Sequence, residues 1–245
     1  MSYWAFVAMA FIIVAWNVSA QEPGTQTPHN LRKQVTREVD YNYLLYLPKD
    51  FDAHLKKRWP LVLFLHGAGE RGSDVNRVKV HGPPKLVAAG REFDFILVSP
   101  QCPKDTWWKV DDLEVLLDDI RAHYPIDEDR IYLTGLSMGG GATWEWVARL
   151  PKLFAAAVPI CGPATRLRPS TQPCPVWAFH GDADPTVSVD DSRRMTEVFR
   201  KAGGDVKLTI YPGVTHDSWT RTYENPEMWS WLLSHRRGEP TTRPS

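Results

Sequence analysis

The chain has 245 residues, of which 43% are hydrophobic and 24% charged, with a formal net charge of zero. That length suits one large α/β domain or two small ones, and the composition is that of an ordinary globular protein. Balanced charge with no block of one sign argues against nucleic acid or an anionic membrane as a main partner.

Residues 1–20 read as a signal peptide. Trp4 to Val18 is apolar, and Val18-Ser19-Ala20 offers small residues for cleavage before Gln21. The apolar core is short for a membrane span, and no Lys or Arg precedes it. An uncleaved anchor is the alternative, and both readings export the domain, to periplasm or medium. After cleavage no stable membrane association is expected. Residues 21–37, with Pro23, Gly24 and Pro28, form a polar lead-in.

The main domain is expected over residues 38–235. Val39 to Leu47 alternates and suits a strand near a sheet edge. Leu61 to Leu65 is a continuous apolar run, as expected of a strand covered on both faces. Phe95–Val98, Ile131–Leu136, Ala155–Ile160, Val176–Phe179 and Val206–Tyr211 continue the series. Helical patterns lie between them. Asp111–His123 places Leu113, Leu116, Leu117 and Ile120 on one face. Residues 138–150 form a second helix. Ser188–Ala202 ends at Gly203-Gly204, and Pro226–Ser234 closes the domain. Alternating strands and helices predict a mostly parallel sheet flanked by helices. Its strand C-terminal ends share one edge, where ligands bind. The polar tail 236–245 is expected to fray.

Gly135-Leu136-Ser137-Met138-Gly139 is a G-x-S-x-G pattern between a predicted strand and a predicted helix. A serine on that sharp turn is exposed for attack. The glycines are required because a side chain would clash with the neighbouring strand or helix. Asp182 and Asp184 follow the strand at 176–179, and His216 follows the strand at 206–211. The order Ser, acid, His is that of the α/β-hydrolase fold. Ser137 needs a base to take its proton, and His216 fills that role. A carboxylate, Asp182 or Asp184, would orient the imidazole. The Met138 N–H points to where a carbonyl oxygen would become negative. His66 and His180, at strand ends before glycine, suit a backbone-ordering role. His29, His54, His123 and His235 read as solvated.

Three cysteines, Cys102, Cys161 and Cys174, leave at least one thiol unpaired. Cys161 and Cys174 bracket one loop and are candidates for a bridge; the alternative is three small buried residues. Their spacings match no zinc pattern, so no metal is expected.

Together, His66-Gly67-Ala68-Gly69-Glu70-Arg71-Gly72, Pro100-Gln101-Cys102-Pro103 with Trp107-Trp108, Gly135–Gly140, His180–Val187, and His216 with Trp219 resemble the α/β-hydrolase superfamily. The resemblance is to the exported polyhydroxybutyrate-depolymerase, feruloyl-esterase and acetyl-esterase group. It extends to the "predicted peptidase" relatives of prolyl oligopeptidase. It covers residues 38–234. The 180–187 stretch is similar to the H-G-x-x-D-x-x-V segment of these hydrolases, which selects Asp184 as the acid and leaves Asp182 to order the loop. The 66–72 stretch resembles the esterase H-G-x-G loop, which implies Ala68 as the second oxyanion donor, with Gly69 as the alternative. The related dienelactone hydrolases use a cysteine nucleophile, so Ser137 disfavours that activity.

The resemblance implies cofactor-free hydrolysis of carboxylic esters, small or polysaccharide-linked. The short loop between Ile160 and Val176 leaves no room for a helical cap, so an open site is expected. Trp107, Trp108 and Trp219 are candidates to stack on a sugar or aryl acyl group, against the alternative of loop packing. Trp144, Trp146, Trp229 and Trp231 fall on predicted helices and belong to the core. A peptidase with the same residues is one rival reading. A non-catalytic carbohydrate-binding relative is the other.

Overall fold

The structure, a computed structural model, describes residues 30–34, 36–52 and 57–238. The expected signal peptide lies outside the described residues. The chain divides into units at 1–38 and 39–245. The described part of the first carries neither helix nor strand.

In the second unit, seven strands form one sheet in the order β1-β3-β2-β4-β5-β6-β7. They are β1 (Tyr43–Tyr46), β2 (Trp59–Leu65), β3 (Ile96–Pro100), β4 (Ile126–Leu136), β5 (Ala156–Ile160), β6 (Val176–Gly181) and β7 (Val206–Tyr211). Only the edge strand β1 is antiparallel, with Tyr43 opposite Pro100. The helices are α1 (Gly82–Ala88), α2 (Val110–His123), α3 (Met138–Arg149), α4 (Val189–Lys201), α5 (Trp219–Glu224) and α6 (Pro226–Ser234). No helix among the described residues is long and apolar enough to cross a membrane.

The apolar run of β2 explains the two-sided core. Leu61, Leu63 and Leu65 pack on one face with residues of α2 and α3. Val62 and Phe64 pack on the other with Tyr223, Met228 and Trp229 of α5 and α6. Successive strand residues point to opposite faces, so an unbroken apolar run covers both. Trp144 and Trp146 of α3 are fully buried, and Trp229 is nearly so.

The structure differs from the sequence expectation in three places. β4 begins at Ile126, five residues before the apolar stretch, because Ile126 pairs with Trp59 across a bulge. Its polar start is compensated: Asp127 accepts from Arg130 at 2.6 Å and faces Arg236 at 3.4 Å. Arg236 and Arg237, the first residues of the expected tail, are thus tied to the body, with Arg237 N–H donating to Asp129 O at 2.8 Å. Residues 239–245 lie outside the described part. The helices α1 and α5 were not anticipated; at seven and six residues they are too short to display a helical period.

The parallel strands bring six loops to one edge. These follow β2 at His66, β3 at Gln101, β4 at Ser137, β5 at Cys161, β6 at Asp182 and β7 at Pro212. Between β5 and β6, residues 161–175 carry no helix, so no helical cap is inserted in that connection.

Candidate active site

Ser137 stands on the turn from β4 into α3 with φ 52° and ψ −117°. A non-glycine residue at positive φ stores about 1–3 kcal/mol of strain and persists only where its surroundings over-determine it. Here they do. Ser137 N–H donates to Ile160 O at 2.9 Å, and Gly141 N–H donates to Ser137 O at 3.0 Å. The start of α3 is pressed against β2 so closely that a Cβ on Gly139 would stand 2.0 Å from Leu65 O. Only glycine permits that approach. Met138 is the first helical residue, so its N–H has no partner within the helix. It lies at the positive end of the helix dipole.

Three side chains from three loops form one hydrogen-bonded line. His216 Nε2 lies 2.9 Å from Ser137 Oγ, and His216 Nδ1 lies 2.7 Å from Asp184 Oδ2. Asp184 is buried, and its other oxygen accepts from Thr186 N–H at 2.8 Å and Val187 N–H at 3.0 Å. Burial pushes the Asp184 carboxyl upward, but the His216 bond, the two N–H groups and the His216 charge outweigh it and hold the pKa below the usual range. Asp184 therefore stays ionised beside the imidazole. Of the two aspartates left open by the residues alone, Asp184 reaches His216. Asp182 accepts from Gly213 N–H at 2.6 Å and so joins the loops after β6 and β7.

The loop after β2 carries the other predicted donor, Ala68, at the start of a 3-10 turn spanning Ala68–Glu70. Glu70 is buried and accepts from Gly67 N–H at 3.0 Å. His66 is fully buried and neutral: burial lowers its pKa to about 4, against an opposing bond to Gly67 O. Cys102 N–H donates to His66 Nε2 at 2.9 Å, so Nδ1 carries the proton and donates to Gly67 O at 2.6 Å. The expected backbone-ordering role of His66 thus takes a definite form, joining the loops after β2 and β3.

The tryptophans divide. Trp107 is 61% exposed and lines a cavity of about 340 Å³ beside Met138, with Gly141, Glu145, Pro163 and Thr165. Trp108 touches the same cavity but is buried to 6% exposure, its Nε1–H donating to His66 O at 3.1 Å and its ring against His66 and Tyr41. Trp219 is also buried and meets the His216 ring edge-on at 5.2 Å. Both are committed to packing, because their indole N–H groups and faces are used inside the loops they support. Of the three expected stacking residues, Trp107 keeps an open face.

Two residues near the site, His81 and Glu70, were not singled out in the sequence. His81 accepts from Trp219 Nε1–H at 3.3 Å, and its Nε2 lies 3.8 Å from Glu70. Glu70 was visible as an acid within a glycine-rich loop, but its target is a backbone N–H that no side-chain pattern encodes. The backbone-ordering role expected of His180 is met by Val187 O, 3.0 Å from its Nε2, which also lies 3.2 Å from Asp184 Oδ2; its Nδ1 lies 2.7 Å from Ser192 Oγ. His123 is exposed as expected, whereas His235 is half-buried and hydrogen-bonded to Trp231 O. His29 and His54 lie outside the described residues.

All three cysteines are free and buried. Cys161 and Cys174 do not bridge, because they sit in the cores on opposite faces of the sheet. Cys161, Asp184 and His216 offer possible metal ligands within 4.8 Å of one another. Their chemistry opposes a metal. Asp184 and His216 already bind each other, and burial pushes the Cys161 thiol up to about 12, away from the thiolate a metal needs.

A largely parallel sheet with a serine on a strained strand-to-helix turn, joined through histidine to an aspartate, is the arrangement of an α/β hydrolase. Residues 102–227 match the dienelactone hydrolase family, and the chain belongs to that family. It is 28% identical over 144 residues to a bifunctional acetylxylan esterase/xylanase of Neocallimastix patriciarum, covering 54% of this chain and 20% of that protein. It is 24% identical over 191 residues to a probable feruloyl esterase C of Aspergillus terreus, covering 76% and 70%. Among solved structures, a thermostable esterase shares 35% identity at a TM-score of 0.66, over 80% of this chain and 59% of that one. The chain thus spans a fifth of the first relative and less than two thirds of that esterase.

Proposed function

We propose that this protein is an exported serine hydrolase of carboxylic esters, working through an acyl-enzyme. The observation that carries the reading is the unbroken line from Asp184 through His216 to Ser137, beside the Met138 N–H at the start of α3. The esterases among its relatives support it, as do the helix-free connection at 161–175 and the open Trp107 face. The leader read at residues 1–20 supports export.

A neutral serine attacks poorly, so His216 Nε2 removes the Ser137 proton as Oγ adds to the ester carbonyl. Asp184 holds the Nδ1–H tautomer and stabilises the imidazolium. The carbonyl oxygen becomes an anion between the N–H groups of Met138 and Ala68, each worth on the order of 3 kcal/mol to the transition state. His216 then protonates the departing alcohol. Water, activated by the same imidazole, attacks the acyl-enzyme and frees Ser137. The substrates proposed are short acyl or feruloyl esters on a sugar or polymer.

The test compares residues 21–245 with Ser137→Ala on acetyl, butyryl and octanoyl p-nitrophenyl esters, methyl ferulate and a proline-containing peptide amide. Ester turnover that vanishes in the variant is the expected result. Peptide cleavage without ester preference overturns the reading in favour of a peptidase. No turnover and no fluorophosphonate labelling of a folded protein overturns it in favour of a binding role.

A further inference from the structure

The cavity beside Met138 does not end at Trp107. Ala164 and Thr165 line it and also line a second cavity of about 430 Å³. The second cavity is floored by Met195 and Val198 of α4 and rimmed by Arg166, Arg168 and Arg194. Arg194 is paired with Asp191 at 2.6 Å. Arg166 and Arg168 are exposed, and neither has an ion-pair or hydrogen-bond partner among the described residues. The whole chain carries no net charge, so two unpartnered guanidiniums in one pocket are a local excess rather than a general bias. The first cavity, next to the serine, has the opposite character, with Glu145 as its charged wall.

Resting on the esterase reading above, we propose that the Arg166–Arg168 cavity is a subsite for an anionic group of the substrate, a carboxylate or sulfate set one cavity away from the scissile ester. A chain lying across Trp107 and Thr165 would carry its ester at Ser137 and its anion between the two arginines. Guanidinium groups match the paired oxygens of such anions and cannot lose their charge at working pH. The substrate class is therefore an ester on an acidic oligosaccharide rather than on a neutral one. Glu145 disfavours a negative group immediately beside the serine, which fixes the anion to the outer position.

The experiment uses an acetylated xylo-oligosaccharide bearing glucuronic acid, and the same oligosaccharide with its carboxylate reduced to a primary alcohol. The intact enzyme is expected to favour the charged form in kcat/KM by about tenfold, the gain of one charge-assisted contact. That preference should fall towards one in Arg166→Ala/Arg168→Ala, persist in part in the double Lys variant, and shrink at high salt. A sulfated, acetylated oligosaccharide distinguishes the two anions. Equal kcat/KM on the charged and reduced forms, with p-nitrophenyl acetate turned over normally, overturns the subsite while leaving the esterase reading intact. If no ester is turned over, quenching of Trp fluorescence by the unacetylated oligosaccharides decides instead. Tighter binding of the charged form, lost in the double alanine variant, supports the subsite, and equal binding overturns it.

Discussion

The turn at Ser137 and the loop from Cys161 to Pro175 border the same cavity, yet they are built on opposite terms. At the turn, backbone meets backbone: Ser137 N–H is bonded, Gly139 lies against β2, and Asp184 accepts four hydrogen bonds from three residues and His216. In the loop, Arg166, Leu167 and Arg168 stand exposed. On the proposed function, the difference separates two tasks. Bond-making groups must be held to within fractions of an ångström, which requires a rigid shell around them. Groups that recognise a substrate can sit on a soft rim, where substitution changes preference without disturbing the chemistry.

The comparison breaks first if Asp184 is dispensable. Asp184→Asn keeps the shape but reverses the donor and acceptor relation to His216 Nδ1. The expected result is a fall in kcat of about 10⁴-fold with the fold retained. A loss below tenfold on p-nitrophenyl acetate would mean that the line of side chains is not the working unit.

Rigidity at the turn is tested by Gly139→Ala. The added Cβ meets the backbone oxygen of Leu65, which cannot swing away as a side chain would. Destabilisation of about 3 kcal/mol or more is expected, read as a lower urea midpoint at unchanged slope. A near-neutral result would show that α3 can shift away from β2 and that the turn is not rigid.

This contrast also explains how much was legible in the sequence. Ser137, the glycines around it, His216 and the buried strands follow from steric and periodic demands that few residue types meet. The choice between Asp182 and Asp184 needed a resemblance, because both sit in one loop and only the path of the chain decides which reaches His216. The contacts of Glu70, His81 and His180 were not legible. Each depends on a partner 3 to 138 residues away whose position is set by the closed sheet. Trp107 and Trp108 are adjacent and chemically identical, and only the packing of His66 decides which one is buried.

A smaller effect concerns the buried imidazole of His66 on the rigid side. It remains neutral in the folded protein down to about pH 4, whereas in the unfolded chain it titrates near 6.5. Between those values the unfolded state binds more protons, so stability falls as pH drops through that window, by about 3 kcal/mol in all. Asp184 acts lower. Its depressed pKa contributes stability that is present above the ordinary carboxylate range and lost as pH falls through its folded value. Urea midpoints measured from pH 7.5 to 4 should decline in the intact protein and flatten in His66→Gln. An identical decline in both would assign the acid sensitivity elsewhere.

The smallest expected effect belongs to the soft side and is the sharpest test of the division. Trp107 is open to solvent and holds no contact that positions Ser137, His216 or Asp184. Trp107→Ala should leave the melting temperature within a degree or two, since surface substitutions seldom exceed about 0.5 kcal/mol. It should leave kcat on a minimal acetyl ester unchanged, because that substrate does not reach the ring. On methyl ferulate or an acetylated sugar it should raise KM several-fold, since stacking on one aromatic face is worth about 1 kcal/mol. A rim residue acts on binding, so the split between KM and kcat is the measurement that matters. If kcat falls equally on all substrates, Trp107 belongs to the rigid shell, and the boundary between the two regions runs outside it.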